Sequence, residues 1–222
     1  MKLLADKNLL LRVYTQNVDG LETSAGIDPQ LIVEVHGTLR RAKCANCGTP
    51  VPIESLESAV FAKCVLNCSI CGGVIKPDVV FFGEQLPDRF FELLEDDCAN
   101  CDMIIIAGTS LMVHPVSSIA QLVPTDIPRV LINKEKVGLF KQSSDCLYSP
   151  SISESSTSTD NYRSDPSFSS KPSLDETEDN NENMDLLIYD RDVTWLGNCD
   201  DGFKELSMYL GWRDELESLI KK

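Results

Sequence analysis

The chain has 222 residues, 42% of them apolar, with nine cysteines and a formal net charge of −15. That length admits one larger domain or two small ones around a sizeable core. An acidic balance without a basic stripe argues against nucleic-acid binding and favours basic partners such as lysine-rich peptides.

Residues 1–8 read as the end of a helix, with Leu3 and Leu4 facing inward. The start, MKLLADKNLLLRV, is interrupted by Asp6 and Lys7 and does not read as a signal peptide. No apolar run approaches the ~20 residues that span a bilayer. LLLRVYTQ (9–16) predicts a buried strand that runs into Asn17, Val18 and Asp19. DPQLIVEVH (28–36) predicts a second strand, and 42–76 reads as cysteine-rich loop. VVFFGE (79–84) is a short β-prone run stopped by Gly83. LPDRFFELLEDDCANC (86–101) has helical spacing at Phe90, Leu93 and Leu94, with Pro87 and Asp88 near its start. MIIIAGTS (103–110) predicts a strand, HPVSSIAQLV (114–123) a short helix, and PRVLIN (128–133) the next strand. Strand, helix and strand in succession predict an α/β fold with a parallel sheet.

Residues 141–185 break the pattern, with 13 serines, ten acidic and three basic side chains. Such a stretch cannot bury enough surface to offset its ordering entropy, so it reads as a disordered acidic insertion. It is either a phosphorylation-tuned tether or a plain solvated loop. Order returns at LLIYDRDVTWLG (186–197), followed by two short helices separated near Gly211.

The cysteine count is odd, and four cysteines form two C-x-x-C pairs: Cys44 with Cys47, and Cys68 with Cys71. The spacing fits a four-cysteine zinc ribbon, a closed tetrahedral site that is structural rather than catalytic. Ordinary thiols or a redox pair are the alternatives, and Cys64 is a rival ligand. Cys98 and Cys101, one helical turn apart, and Cys146 have no partner pair. Reduced thiols with a metal place the chain in cytoplasm or nucleus.

Three predicted strands end in polar or small residues: Gln16-Asn17-Val18-Asp19, Gly108-Thr109-Ser110 and Asn133-Lys134-Glu135. Ligands of parallel α/β sheets collect at such carboxyl ends. Gly108 allows close backbone approach, Thr109 and Ser110 can donate to phosphate or ribose, and Glu135 can accept from ribose hydroxyls. Turn chemistry explains each alone; together they point to a nucleotide. His36, one of two histidines, follows a strand and precedes Gly37. Histidine titrates near neutrality and is a natural general base, although a lone histidine is as readily structural. His114, before Pro115 at a helix start, reads as structural.

The combination YTQNVDGLE, VEVHGTLRRAKC, the two C-x-x-C pairs, CGG-IKPDVVFFGE-LP, AGTSLMVHP and LINKE resembles the sirtuins, the NAD-dependent protein deacylases. RDVTWLGNCDDG and LGWRDELESLI resemble the end of the branch that includes the cytoplasmic tubulin deacetylase. The resemblance covers roughly residues 1–140 and 186–220 and implies a Rossmann-like domain with an inserted zinc ribbon. The implied division is 1–41, 77–140 and 186–222 for the NAD-binding domain, 42–76 for the zinc module and 141–185 for the insertion.

The resemblance implies His36 as general base and Asn17 as a catalytic pocket residue. Gln16, Asn17, Val18 and Asp19 would line the nicotinamide and ribose pocket; the family usually has Ile where this chain has Val18. Thr109 and Ser110, after Gly108, would meet phosphate and ribose; Asn133, Lys134, Glu135 and Cys199 would meet the adenosine end. Val80 and Phe81 would line the acyl-lysine tunnel, in a VVFFGE segment, with Gly83 and Glu84, that pairs with an extended peptide by strand addition. The implied reaction moves an acetyl group from a protein lysine to ADP-ribose and releases nicotinamide. Its partners are acetylated histone tails, tubulin or other basic peptides, without nucleic acid or membrane.

The sequence lacks the family's G-A-G-x-S loop and the G-I-P-D-F-R that follows it. Met1 therefore reads as an internal methionine of an N-terminally truncated chain whose first strand is absent. Beside the deacetylase stands a second expectation, a catalytically silent zinc-containing peptide-binding module. Mono-ADP-ribosyl transfer would use the same pocket.

Overall fold

The computed structural model describes residues 1–141, 147–148 and 191–221. The expectations for the acidic insertion, for Cys146 and for the start of the returning strand at 186–190 fall outside these residues.

Helix α1 (Lys2–Asp6) buries Leu3, with Leu4 half-buried. Strand β1 (Val13–Thr15) is shorter than the predicted 9–16 because Leu9 and Leu11 are exposed and leave the apolar stretch outside the core. Helix α2 (Leu21–Ser24) and a 3-10 turn at Pro29–Leu31 lead to strand β2 (Ile32–Glu34). β1 and β2 are parallel, with Val13 opposite Ile32 and Thr15 opposite Glu34.

Strand β3 (Gly37–Cys44) lies antiparallel between β4 (Pro50–Val51) and β5 (Ile75–Val79). The 42–76 stretch is more ordered than its loop reading. Helix α3 (Ile53–Phe61) crosses it and drives Leu56 into a small core with Ala42, Cys44, Cys68 and Ile75. The strand reading of 79–84 also needs correction. β5 ends at Val79 and the chain turns, because the Glu84 carboxylate takes the Phe81 amide at 2.9 Å and removes it from any ladder.

Helix α4 (Asp88–Asn100) begins after Pro87, with Asp88 in its positively polarised first turn. Its apolar face carries Phe90, fully buried, and Cys98 against Val33, Val35, Val116, Ile119 and Val123. Burying the Phe90 ring contributes about 1.5–3 kcal/mol. Strands β6 (Ile104–Ala107), β7 (Arg129–Asn133), β8 (Leu147–Tyr148) and β9 (Asp192–Leu196) form a parallel sheet in the order β6-β7-β9-β8. Helix α5 (Ile119–Leu122) connects β6 to β7; Ala120 packs with Ile106, Leu131 and Phe140. Helices α6 (Cys199–Tyr209) and α7 (Arg213–Ile220) follow β9 and part at Gly211, as predicted.

The fold class is α/β, and its parallel strands fall into two sheets. Among the described residues β1 and β6 share no ladder. Tyr14 of β1 and Ile104 of β6 pack against the same apolar cluster, so core contacts join the two pieces.

A buried ion pair fixes the larger sheet. Arg129 Nε and Nη2 donate to the two Asp192 oxygens at 2.6 Å each, and Nη1 donates to the Ala120 carbonyl at 2.9 Å. The pair occupies the first rung of the β7–β9 ladder, with Arg129 opposite Asp192. It sets the register that brings Leu196 level with Asn133 and places Gly197 and Cys199 beyond the strand ends.

Candidate active site and metal centre

His36 sits between the two sheets of the N-terminal half. The Val35 amide donates to the Thr15 carbonyl, and the Val80 amide donates to the His36 carbonyl at 2.9 Å. Gly37 makes this junction possible. Its φ is +76°, and an added Cβ would stand 2.0 Å from the Asp78 carbonyl oxygen. Any side chain there would push β3 off β5.

The half-buried His36 ring is oriented by Gln16. Nδ1 lies 3.1 Å from the Gln16 carbonyl oxygen. A carbonyl can only accept, so Nδ1 carries the proton, and in the neutral ring Nε2 keeps its lone pair. A histidine in this tautomer can take a proton through Nε2.

The Gln16 side chain points the other way in function: its Oε1 accepts from Thr109 Oγ1 at 3.0 Å. The carboxyl ends of β1 and β6 are thereby bridged. The Thr109 hydroxyl also receives the Leu111 amide at 3.1 Å. Asn133, at the end of β7, donates its Nδ2 to the carbonyls of Thr109 and Glu135 at 3.1 and 3.0 Å. Buried and doubly engaged, it braces two loops. Gly108, exposed at φ +61°, has the Cys199 sulfur 3.4 Å from where a Cβ would lie. The Cys199 thiol is directed at the Ile132 carbonyl, 3.4 Å away.

Gln16, Gly108, Thr109, Asn133 and Cys199 therefore gather at one edge of the strands. Ser110, Lys134 and Glu135 are exposed beside them. Asn17 and Asp19 stand exposed in the turn after β1. Val18 ties that turn to β3 by accepting the Leu39 amide at 2.8 Å, and Asp19 Oδ1 accepts the Leu21 amide at 3.1 Å. Arg40, which the sequence reading did not single out, cradles Gly20: its Nη1 donates to the Gly20 carbonyl at 3.2 Å and to Ser24 Oγ at 2.9 Å. An open glycine, hydroxyls, amides and a carboxylate on one edge fit a ligand rich in hydroxyl and phosphate oxygens, the chemistry of a dinucleotide.

Cys44, Cys47, Cys68 and Cys71 place their sulfurs within 4.8 Å of one another. Cys44 and Cys71 are 3.4 Å apart, and Cys47 and Cys68 3.8 Å. A tetrahedral zinc with sulfurs at ~2.3 Å sets them about 3.8 Å apart, so the donor set fits that ion. The thiols perturb one another. Cys47 is pushed down to about 6, first by the Thr49 hydroxyl. Cys71 is pushed up to about 12: the Gly73 amide lowers it, but Cys44 and Cys47 more than offset that. Four sulfurs this close require a cation before all can ionise. Cys64 is outside the cluster, its thiol on the Ala59 carbonyl at 3.5 Å. Cys98 is a packing residue, its thiol pushed up to about 11 by burial.

The model of the Sir2 family matches residues 1–115, more than half of the chain. The chain belongs to the Sir2 family. Similar curated proteins include the NAD-dependent protein deacetylase SIR2rp1 of Leishmania major, 49% identical over 138 residues, which are 62% of this chain and 37% of that protein. The NAD-dependent protein deacetylase sirtuin-2 of Danio rerio is 35% identical over 224 aligned positions, covering 100% of this chain and 52% of that protein. The NAD-dependent histone deacetylase SIR2 of Candida albicans is 42% identical over 147 residues, 62% of this chain and 28% of that protein. The chain thus spans about half or less of the length of these three relatives. No helix among the described residues is long and apolar enough to cross a membrane.

Proposed function

We propose that the chain is an NAD-dependent protein-lysine deacetylase that moves the acetyl group to ADP-ribose and releases nicotinamide. The observation that carries this reading is the 3.1 Å contact of His36 Nδ1 with the Gln16 carbonyl, which calls for the proton on Nδ1 and leaves Nε2 to act as base. NAD, when bound, supplies the activated glycosidic bond and the ribose hydroxyls. Gln16, Asn17, Val18 and Asp19 form the pocket on the His36 side of the strand ends. Gly108, Thr109, Ser110, Asn133, Lys134, Glu135 and Cys199 form the side that receives the rest of the dinucleotide. His36 Nε2 accepts a proton from the ribose, and Asn17 shapes the pocket beside it.

The peptide lies along 80–84, where Val80 and Phe81 border the acyl chain, with Gly83 and Glu84 at the turn. One zinc ion, held by Cys44, Cys47, Cys68 and Cys71, closes the 42–76 module on itself, and the NAD-binding domain is assigned to 1–41, 77–140 and 186–222. The substrates are acetylated lysines in basic proteins, histone tails or tubulin, of the cytoplasm or nucleus. The match to sirtuin-2 of Danio rerio along the whole chain supports the sirtuin-two branch, and the net charge of −15 suits basic peptides.

The test is mass-spectrometric detection of deacetylated peptide and nicotinamide after incubating the chain with an acetyl-lysine peptide. The reading expects both products only when NAD is present. Peptide binding without either product would make the chain a silent zinc-containing binding module instead.

A further inference from the structure

We propose that Lys76 is a positioning residue for the acyl-lysine peptide, holding the 79–84 turn in its receptive shape; this role rests on the deacetylase reading. The Lys76 side chain is only 12% exposed, although it carries a full charge. Lysines are rarely buried this far unless paired. Here the ammonium has three partners, all in the same turn. Nζ donates to the Val79 carbonyl at 2.7 Å and to Glu84 Oε2 at 2.6 Å, and it stands 4.1 Å from the centroid of the Phe81 ring.

Glu84 completes the clamp. The same Oε2 accepts the Phe81 amide at 2.9 Å, and the Glu84 amide returns to the Phe81 carbonyl at 3.0 Å. The Glu84 carboxyl is held below its ordinary value, first by Lys76 and then by the Phe81 amide. One end of the clamped segment is fixed to the candidate base, because Val80 donates to the His36 carbonyl. Its outer face is apolar: Phe81 is 52% exposed and Phe82 fully exposed. A largely covered cation thus sets the direction of an exposed ring one residue beyond the Val80–His36 backbone bond. A peptide docking there meets a preformed surface, and a turn without Lys76 must be ordered on binding.

The test uses the full chain as wild type, Lys76→Met and Lys76→Arg, with a fluorescent acetyl-lysine peptide. Peptide affinity is read by anisotropy, NAD affinity by calorimetry, and exchange of the Phe81 amide by hydrogen–deuterium exchange. Lys76→Met should weaken peptide binding about tenfold and speed Phe81 exchange, with NAD affinity and zinc content unchanged. Lys76→Arg keeps the charge and the ring contact and should stay within about threefold of wild type. In turnover the loss should appear in the peptide KM, with kcat held. Wild-type peptide affinity in Lys76→Met overturns the positioning role, whatever the amide does. Equal loss in Lys76→Arg and Lys76→Met overturns the charge-based clamp. A wild-type chain that binds no peptide overturns the deacetylase reading, and the positioning role with it.

Discussion

Gln16 and Thr109 meet side chain to side chain, Oε1 to Oγ1 at 3.0 Å, between two parallel sheets that share no ladder among the described residues. The Gln16 backbone carbonyl meanwhile orients His36. One residue therefore couples the candidate base to the candidate phosphate loop. Thr109→Val should lower stability by about 0.5–1.5 kcal/mol. A double-mutant cycle with Gln16→Ala should return a coupling of similar size, measured by urea unfolding. Strict additivity would mean that the contact carries no energy.

The ion pair of Arg129 and Asp192 is almost wholly buried, with side chains 2% and 0% exposed. Removing one partner strands a charge. Asp192→Asn should cost about 3–5 kcal/mol, and the paired change to Met and Leu much less. Denaturant midpoints of the three variants check the order. A double change as costly as the single one would mean that the stranded charge is not the source of the loss.

The four-sulfur cluster should hold one zinc ion per chain. Cys47→Ser should lose the metal and loosen the 42–76 module, whereas Cys64→Ser should keep it, because Cys64 lies outside the cluster. Metal analysis of the purified variants decides between them.

Asp97 gives a pH signature. Burial pushes its carboxyl up, but hydrogen bonds from Arg12 at 2.8 and 2.9 Å and from Tyr14 at 2.6 Å pull it below its ordinary value. A carboxyl lowered on folding contributes stability above its unfolded value, ~3.9, and that contribution is lost as pH falls through the folded value. Asp97→Asn should be less stable at neutral pH and should show a flatter acid limb. Thermal melts from pH 7 down to 2 measure both.

Much of this was legible in the sequence, for physical reasons. MIIIA and RVLIN are apolar runs too short for helices and emerge as β6 and β7. Paired C-x-x-C turns announce a four-sulfur cluster by spacing alone. Helix α3 was not legible as such, because cysteine spacing dominated the reading of 42–76 although Ile53, Leu56 and Val60 have helical periodicity. VVFFGE has strand composition, but the carboxylate of Glu84 and the ammonium of Lys76 outweigh that propensity and close a turn. Lys76, Arg40 and the contact of Arg12 with Asp97, 85 positions apart, depend on tertiary pairing that no local pattern records. The bracing of Thr109 and Glu135 by the Asn133 amide is likewise a tertiary contact that no local pattern records.

The role proposed for His36 is that of base in an NAD-dependent deacetylation. Its most direct test is turnover of an acetyl-lysine peptide by the wild-type chain and by His36→Ala, with NAD affinity and zinc content measured on both. The expected outcome is NAD-dependent turnover in the wild type, a loss of about 10²–10⁴-fold in His36→Ala, and NAD binding and zinc retained in the variant. Equal turnover by the two proteins, or turnover without NAD, would contradict it.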